Sequence, residues 1–296
     1  RVAISWTKAN PVNGLNDIWY AESLTGVSGS WTKVNLTNYS GPGYSAWLET
    51  CIMFDSGGKM HIMWPAGKST DGASFDDRAR IFHWSEWNPT KKYLVYTAEW
   101  DYNLSPCGAS QSNVFNVGKV TFGECDNKLY AVFTSWNDPI TGHLDDCQQD
   151  DVRANGENWV CVSKNLEGIS WDAPRNLSNS YTPNCPEQDC NDDQYNSIAL
   201  YGMDDNDFAG VENWSNAESY DMGTGYTGTK YTQLFYHTDR TPGGAYIPQG
   251  GTALNDQRWI RLACVQPVTA ARLDINPSYI GFPEFVKPGT TKPYTL

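Results

Sequence analysis

Acidic side chains outnumber basic ones in this chain, 34 to 21, for a formal net charge of −13, and they gather in a few short stretches. Asp145, Asp146, Asp150 and Asp151 crowd one stretch. Glu187, Asp189, Asn191, Asp192 and Asp193 crowd another, with Asp204, Asp205 and Asp207 close behind. Hard oxygen ligands at near-alternating positions suit calcium, so Asp189, Asn191 and Asp193 are the candidate metal ligands and calcium the candidate cofactor. The stretch lacks the glycine and distal glutamate of an EF-hand, and a solvated acidic loop is the competing reading. Glycoside hydrolysis would need two acids flanking one bond, but spacing alone selects no such pair.

The remaining reactive side chains nominate no catalytic residue. His61, His83 and His237 fall in strand-like runs, and with His143 they are expected to be packed or surface residues. Arg78, Arg80, Arg153, Arg175, Arg240, Arg258 and Arg261 share no repeat position, and no Ser-His-Asp order or nucleophile elbow is present. None of the eight cysteines forms a C-x-x-C pair, which argues against a zinc ribbon and for disulfides in an oxidising, extracellular setting. Cys185 with Cys190, Cys147 with Cys161, and Cys107 with Cys125 are the candidate local bridges. The negative charge argues against nucleic acid and anionic membranes as partners. No apolar run approaches the roughly 20 residues of a membrane helix, so membrane insertion is not expected.

The elements that carry these residues repeat. One strand recurs as Val2–Trp6, Met60–Trp64, Leu129–Phe133 and, more weakly, Phe208–Glu212, three of the copies after an acidic turn. A second, aromatic strand follows as Ile18–Ser23, Arg80–Ser85, Asn158–Ser163 and Gln233–Thr238. Two copies continue alike, through Asn35-Leu36-Thr37-Asn38 and Asn176-Leu177-Ser178-Asn179. Short runs of aromatic and β-branched residues bounded by Gly, Asn, Asp and Pro read as a meander, and helical periodicity is absent. With aromatics at 14% and charged residues at 19%, the composition describes a large all-β core. The expected fold is an all-β propeller of four-stranded antiparallel blades with four recognisable repeats.

Ser23–Trp31 and Ser163–Trp171 resemble degenerate Asp-boxes, the hairpin turns of sialidase-like BNR propellers, with Thr25 and Asn165 in the aspartate position. The resemblance spans residues 1 to about 268 and implies a propeller scaffold of a secreted bacterial surface protein. An Asp-box is a structural turn and implies no catalytic residue. A sialidase would also need an arginine cluster, a Tyr activated by Glu and an Asp acid/base, and its F/Y-R-I-P segment is absent here.

The first repeat starts without the strand that leads the other three, which reads as part of a larger propeller unless Trp259–Cys264 completes that blade. Residues 269–296 read as a linker or the first strands of an immunoglobulin-like domain, after a propeller domain at 1–268. The expected function is a non-catalytic extracellular module, structural, adhesive or filament-forming, that binds protein or glycan at the cell surface. Homo-oligomers or filaments would form through 269–296. The alternative is a sialidase-related glycoside hydrolase with its site in the propeller funnel.

Overall fold

Four antiparallel sheets follow one another along the chain in this computed structural model, which describes residues 1–40, 43–69, 79–98, 117–136, 146–149, 154–186, 188–204, 230–240 and 256–264. No helix occurs among them. The first sheet is β1 (Val2–Ala9), β2 (Asn16–Ser23) and β3 (Thr32–Asn35) in that order. In the second, β4 (Gly43–Ala46) and β5 (Cys51–Phe54) share one edge of β6 (Met60–Ser69), and β7 (Arg80–Ser85) and β8 (Tyr93–Thr97) follow. The third runs β9 (Val117–Cys125), β10 (Lys128–Ser135), β11 (Glu157–Val162) and β12 (Arg175–Asn176). In the fourth, β13 (Asp192–Ile198) and β14 (Met203–Asp204) share one edge of β15 (Lys230–Asp239), and β16 (Asp256–Ala263) pairs its other edge.

Sequence alternation explains how the sheets stack. Successive side chains of a strand point to opposite faces. On β6, Met60, Ile62 and Trp64 pack with Ile18 and Tyr20 of the first sheet, while Met63 joins Phe122, Phe133 and Trp159 of the third. On β10, Ala131 and Phe133 face the second sheet, while Tyr130 and Val132 meet Leu234, Tyr236, Ile260 and Leu262 of the fourth. Inner sheets are therefore apolar on both faces, as blades stacked in chain order must be. Each fully buried large side chain contributes about 1.5–3 kcal/mol, and Trp64, Phe133 and Tyr130 are at 0% exposure. The end sheets are one-sided, leaving Ile4 on β1 at 52% and Phe235 on β15 at 55%.

Local chemistry shapes the turns. Asp126 and Asn127, both at positive φ (50 and 58), form the two-residue turn between β9 and β10, a geometry that Asp and Asn tolerate. The repeated N-L-[ST]-N turns are alike atom by atom. Asn35 Oδ1 accepts the Asn38 amide and Asn176 Oδ1 the Asn179 amide, at 3.0 and 2.9 Å. Asn38 and Asn179 both take φ 44. Thr37 and Ser178 hydroxyls accept the amides of Ile18 and Asn158. In the Asp-box-like loops Ser23 Oγ accepts the Thr25 amide and Ser163 Oγ donates to the Asn165 carbonyl, so the serines hold these turns.

Three expectations are corrected. The repeat makes Gln233–Thr238 the equivalent of β7 and β11, which follow β6 and β10 in their sheets, but β15 pairs directly with the innermost β13 and so holds the place of β6 and β10. The aromatic alternation is the same at either position and cannot tell them apart. Trp259–Cys264 lies at β16 and its end, beside β15, so the alternative in which it completes the first blade is set aside. Cys125 pairs with Cys264 across 139 residues, so Cys107–Cys125 is excluded, and Cys161 is a buried thiol, which excludes Cys147–Cys161. The Cys185–Cys190 bridge is present, and Cys147 is disulfide-bonded. Residues 269–296 lie outside the described residues.

Candidate functional site

The innermost strands of three blades are interrupted. In the second blade the ladder along β6 passes from β5 to β4, leaving Trp47–Thr50 between them. In the third, the β9–β10 register breaks between Val132 and Thr134, and Lys119 adopts φ 54. In the fourth, the β13–β15 register breaks between Gln194 and Ser197, and Tyr195 adopts φ 53. Left-handed backbone costs a non-glycine residue roughly 1–2 kcal/mol and persists where its surroundings dictate it. Bulges of this kind re-aim a side chain and gather next to functional sites.

All four blades meet at these breaks. A cavity of about 750 Å³ opens to solvent there, lined by Ser5, Trp6 and Thr7 of β1, Leu48–Thr50, Lys119 and Val120 of β9, and Tyr195 and Asn196 of β13. Lys119 joins three of the walls. Its ammonium donates to Glu49 Oε1 at 3.0 Å, its backbone N–H donates to Glu49 Oε2, and the ammonium lies 4.7 Å from the centre of the Tyr195 ring. The Trp6 ring is stacked on Trp19 with centroids 6.5 Å apart, which fixes its plane at the cavity wall. Thr50 Oγ1 donates to Ser5 Oγ at 3.2 Å, and Asn196 Nδ2 donates to Asn158 Oδ1 at 3.0 Å while Asn196 Oδ1 is buried without a partner. Both Glu49 oxygens accept bonds from Lys119, which holds the carboxyl group in place at the cavity wall.

The acidic residues singled out from the sequence lie elsewhere. Asp189 is an exposed turn residue whose amide donates to the Pro186 carbonyl. Asn191 Oδ1 accepts from Arg240 Nη1 at 2.8 Å. Asp193 is buried, its oxygens accepting from Ser180 Oγ at 2.6 Å and Thr238 Oγ1 at 2.5 Å. The oxygens of Asn191 and Asp193 are thus turned to different partners. Among the described residues no group of three His, Cys, Asp or Glu side chains is placed to hold a metal ion. Burial pushes the Asp193 carboxyl up. It pushes neighbouring Asp192 up to about 8, against the bond its Oδ1 accepts from the Gly156 amide at 2.6 Å.

The strand histidines form a structural bridge between blades. His61 Nδ1 and His83 Nε2 are 2.9 Å apart, His61 Nε2 is 3.1 Å from Asp55 Oδ2, and His83 Nδ1 donates to the Gly168 carbonyl of the third blade at 3.1 Å. Burial holds His83 down to about 3.

Sequence reasoning missed Glu49, Lys119 and Tyr195. The one local signal is a lysine inside the apolar strand run Val117–Phe122. Their meeting depends on register breaks across strands far apart in the chain.

No protein-family model matches this chain, and no curated protein matches it either. Among solved structures it is similar to a thermostable family-43 glycoside hydrolase at 12% identity and TM-score 0.42, covering 90% of this chain and 73% of that one. It is also similar to an α-L-arabinofuranosidase from Lactobacillus brevis at 11% identity and TM-score 0.39, covering 88% and 68%. Both are glycosidases, and neither is a sialidase. These neighbours run against the expectation of a non-catalytic surface module, which is not carried further. The propeller part of the resemblance stands, as does the placing of bridged cysteines in a chain without a long apolar helix among its described residues.

Proposed function

We propose that this chain is a glycoside hydrolase that takes a glycan into the central funnel. The observation that carries the reading is the convergence of Glu49, Lys119 and Tyr195 at three interrupted inner strands. Backbone strain gathered at the mouth of a cavity marks a place where the fold serves something other than stability. The groups suit a sugar: a carboxylate, a phenol, hydroxyls and flat aromatic faces. Glycoside hydrolysis passes through an oxocarbenium-like state flanked by two acids, one of which gives a proton while the other acts as base or nucleophile. Glu49 suits the second role, because both its oxygens are lone-pair donors held in place by Lys119. Tyr195 forms the opposite wall, with Lys119 between the two.

The test is hydrolysis of a panel of aryl glycosides and polysaccharides by the purified chain, compared with Glu49→Gln. Removing a base or nucleophile typically costs a factor of 100 or more in kcat. Absence of any hydrolysis, or a Glu49→Gln variant as active as the parent, would sink the reading.

A further inference from the structure

We infer that the funnel selects uncharged glycans and turns away sialic and uronic acids, an inference that rests on the glycosidase reading. Sugar carboxylates are held by unmatched cations, above all by arginine forks. Among the described residues that line the funnel, Lys119 is the sole cation, and its charge is matched by Glu49 at 3.0 Å. The Tyr195 ring lies over the same ammonium at 4.7 Å. Arg1 lies between Glu22 and Glu86, and Arg240 and Arg258 both face Asp256. An incoming carboxylate would have to displace Glu49 from Lys119 or lie beside it unmatched. The chain's net charge of −13 adds a repelling field that reaches about 8 Å at physiological salt.

What the wall offers instead is neutral. Asn196 brings a side-chain amide to the wall, and its Oδ1 is buried without a partner. Ser5, Thr7 and Thr50 bring hydroxyl groups, and Trp6 and Tyr195 bring flat apolar faces. These are partners for sugar hydroxyls and for the C–H face of a pyranose or furanose ring.

The pair of opposite charges makes the inference testable in two directions. Glu49→Gln leaves Lys119 as an unmatched cation, and Lys119→Met leaves Glu49 as an unmatched anion. Binding is measured on the intact chain with a glycan panel in which each neutral chain is matched by its sialylated or uronate-bearing counterpart. The parent is expected to prefer the neutral member at least tenfold. Glu49→Gln closes or reverses that preference, and Lys119→Met widens it. Equal or better binding of the acidic members by the parent overturns the inference, as does a preference unmoved in both variants or no binding of any glycan. A chain that keeps the neutral preference yet cleaves nothing would instead remove the hydrolase reading alone.

Discussion

Asp192 is a carboxyl group at 0% exposure whose pKa rises from an ordinary 3.8 to about 8. Burial is the main cause, and neighbouring Asp239 and Asp193 add to it, while the Gly156 amide and Gln194 oppose it. In the folded chain the group therefore keeps its proton where the unfolded chain has lost it. The unfolded state binds fewer protons between about pH 4 and pH 8, so stability falls as pH rises through that window. At roughly 1.4 kcal/mol per pH unit, the upper bound is about 6 kcal/mol. Asp192→Asn keeps the shape and removes the titration. The replacement can keep its bond to the Gly156 amide and can donate to Gln194, whose Oε1 is buried without a partner, if that amide turns over. Urea unfolding of parent and variant from pH 4 to pH 9, with disulfides intact, isolates the effect, because other titrating groups cancel in the difference. The variant should gain on the parent steadily from pH 4, by several kcal/mol at pH 9. A difference that stays flat with pH would show that Asp192 is charged in the fold, and the burial argument would be wrong.

Four further outcomes are expected. Tyr195→Gly relieves left-handed backbone worth about 1 kcal/mol, so thermal stability should hold or rise while glycan hydrolysis falls tenfold or more; lost stability with activity intact would contradict the strain argument. Loop-closure entropy makes the Cys125–Cys264 bridge worth about 5 kcal/mol and the Cys185–Cys190 bridge about 2 kcal/mol, so Cys264→Ser should lower the urea midpoint far more than Cys190→Ser. His83 is held near 3, so its neutral form stabilises the fold above about pH 6.5, and this is lost on acidification. His83→Gln should therefore trail the parent at pH 7.5 and close the gap by pH 4.5, and a constant gap in unfolding free energy would refute it. Glu49→Gln should unfold within about 1 kcal/mol of the parent, because ion pairs still open to solvent contribute little, and calorimetry separates that from its loss of turnover.

Much of the architecture was legible in the sequence because its causes are local. The near-continuous apolar runs Met60–Trp64 and Leu129–Phe133 record burial on both faces, as stacked blades require. The Asn35 and Asn176 turns and the Asp126–Asn127 hairpin follow from side chains that bond their own backbone or tolerate positive φ. Asp189, Asn191 and Asp193 stand out by their spacing; in the fold Asp189 is exposed, Asn191 faces Arg240 and Asp193 is buried under hydroxyls. Spacing along a chain does not report which way each side chain is turned.

By itself, then, the sequence determined the strands, their turns, the all-β class and the order of the blades, since each depends on neighbours a few residues apart. Only the tertiary structure decided that β15 lies second in its blade, that Cys125 meets Cys264, and that Glu49, Lys119 and Tyr195 share one funnel. Each of these follows from pairing between distant strands, where one register break turns a residue toward or away from the axis. The physics that sets such a break is the fit of the partner strand, and no local run of residues contains it.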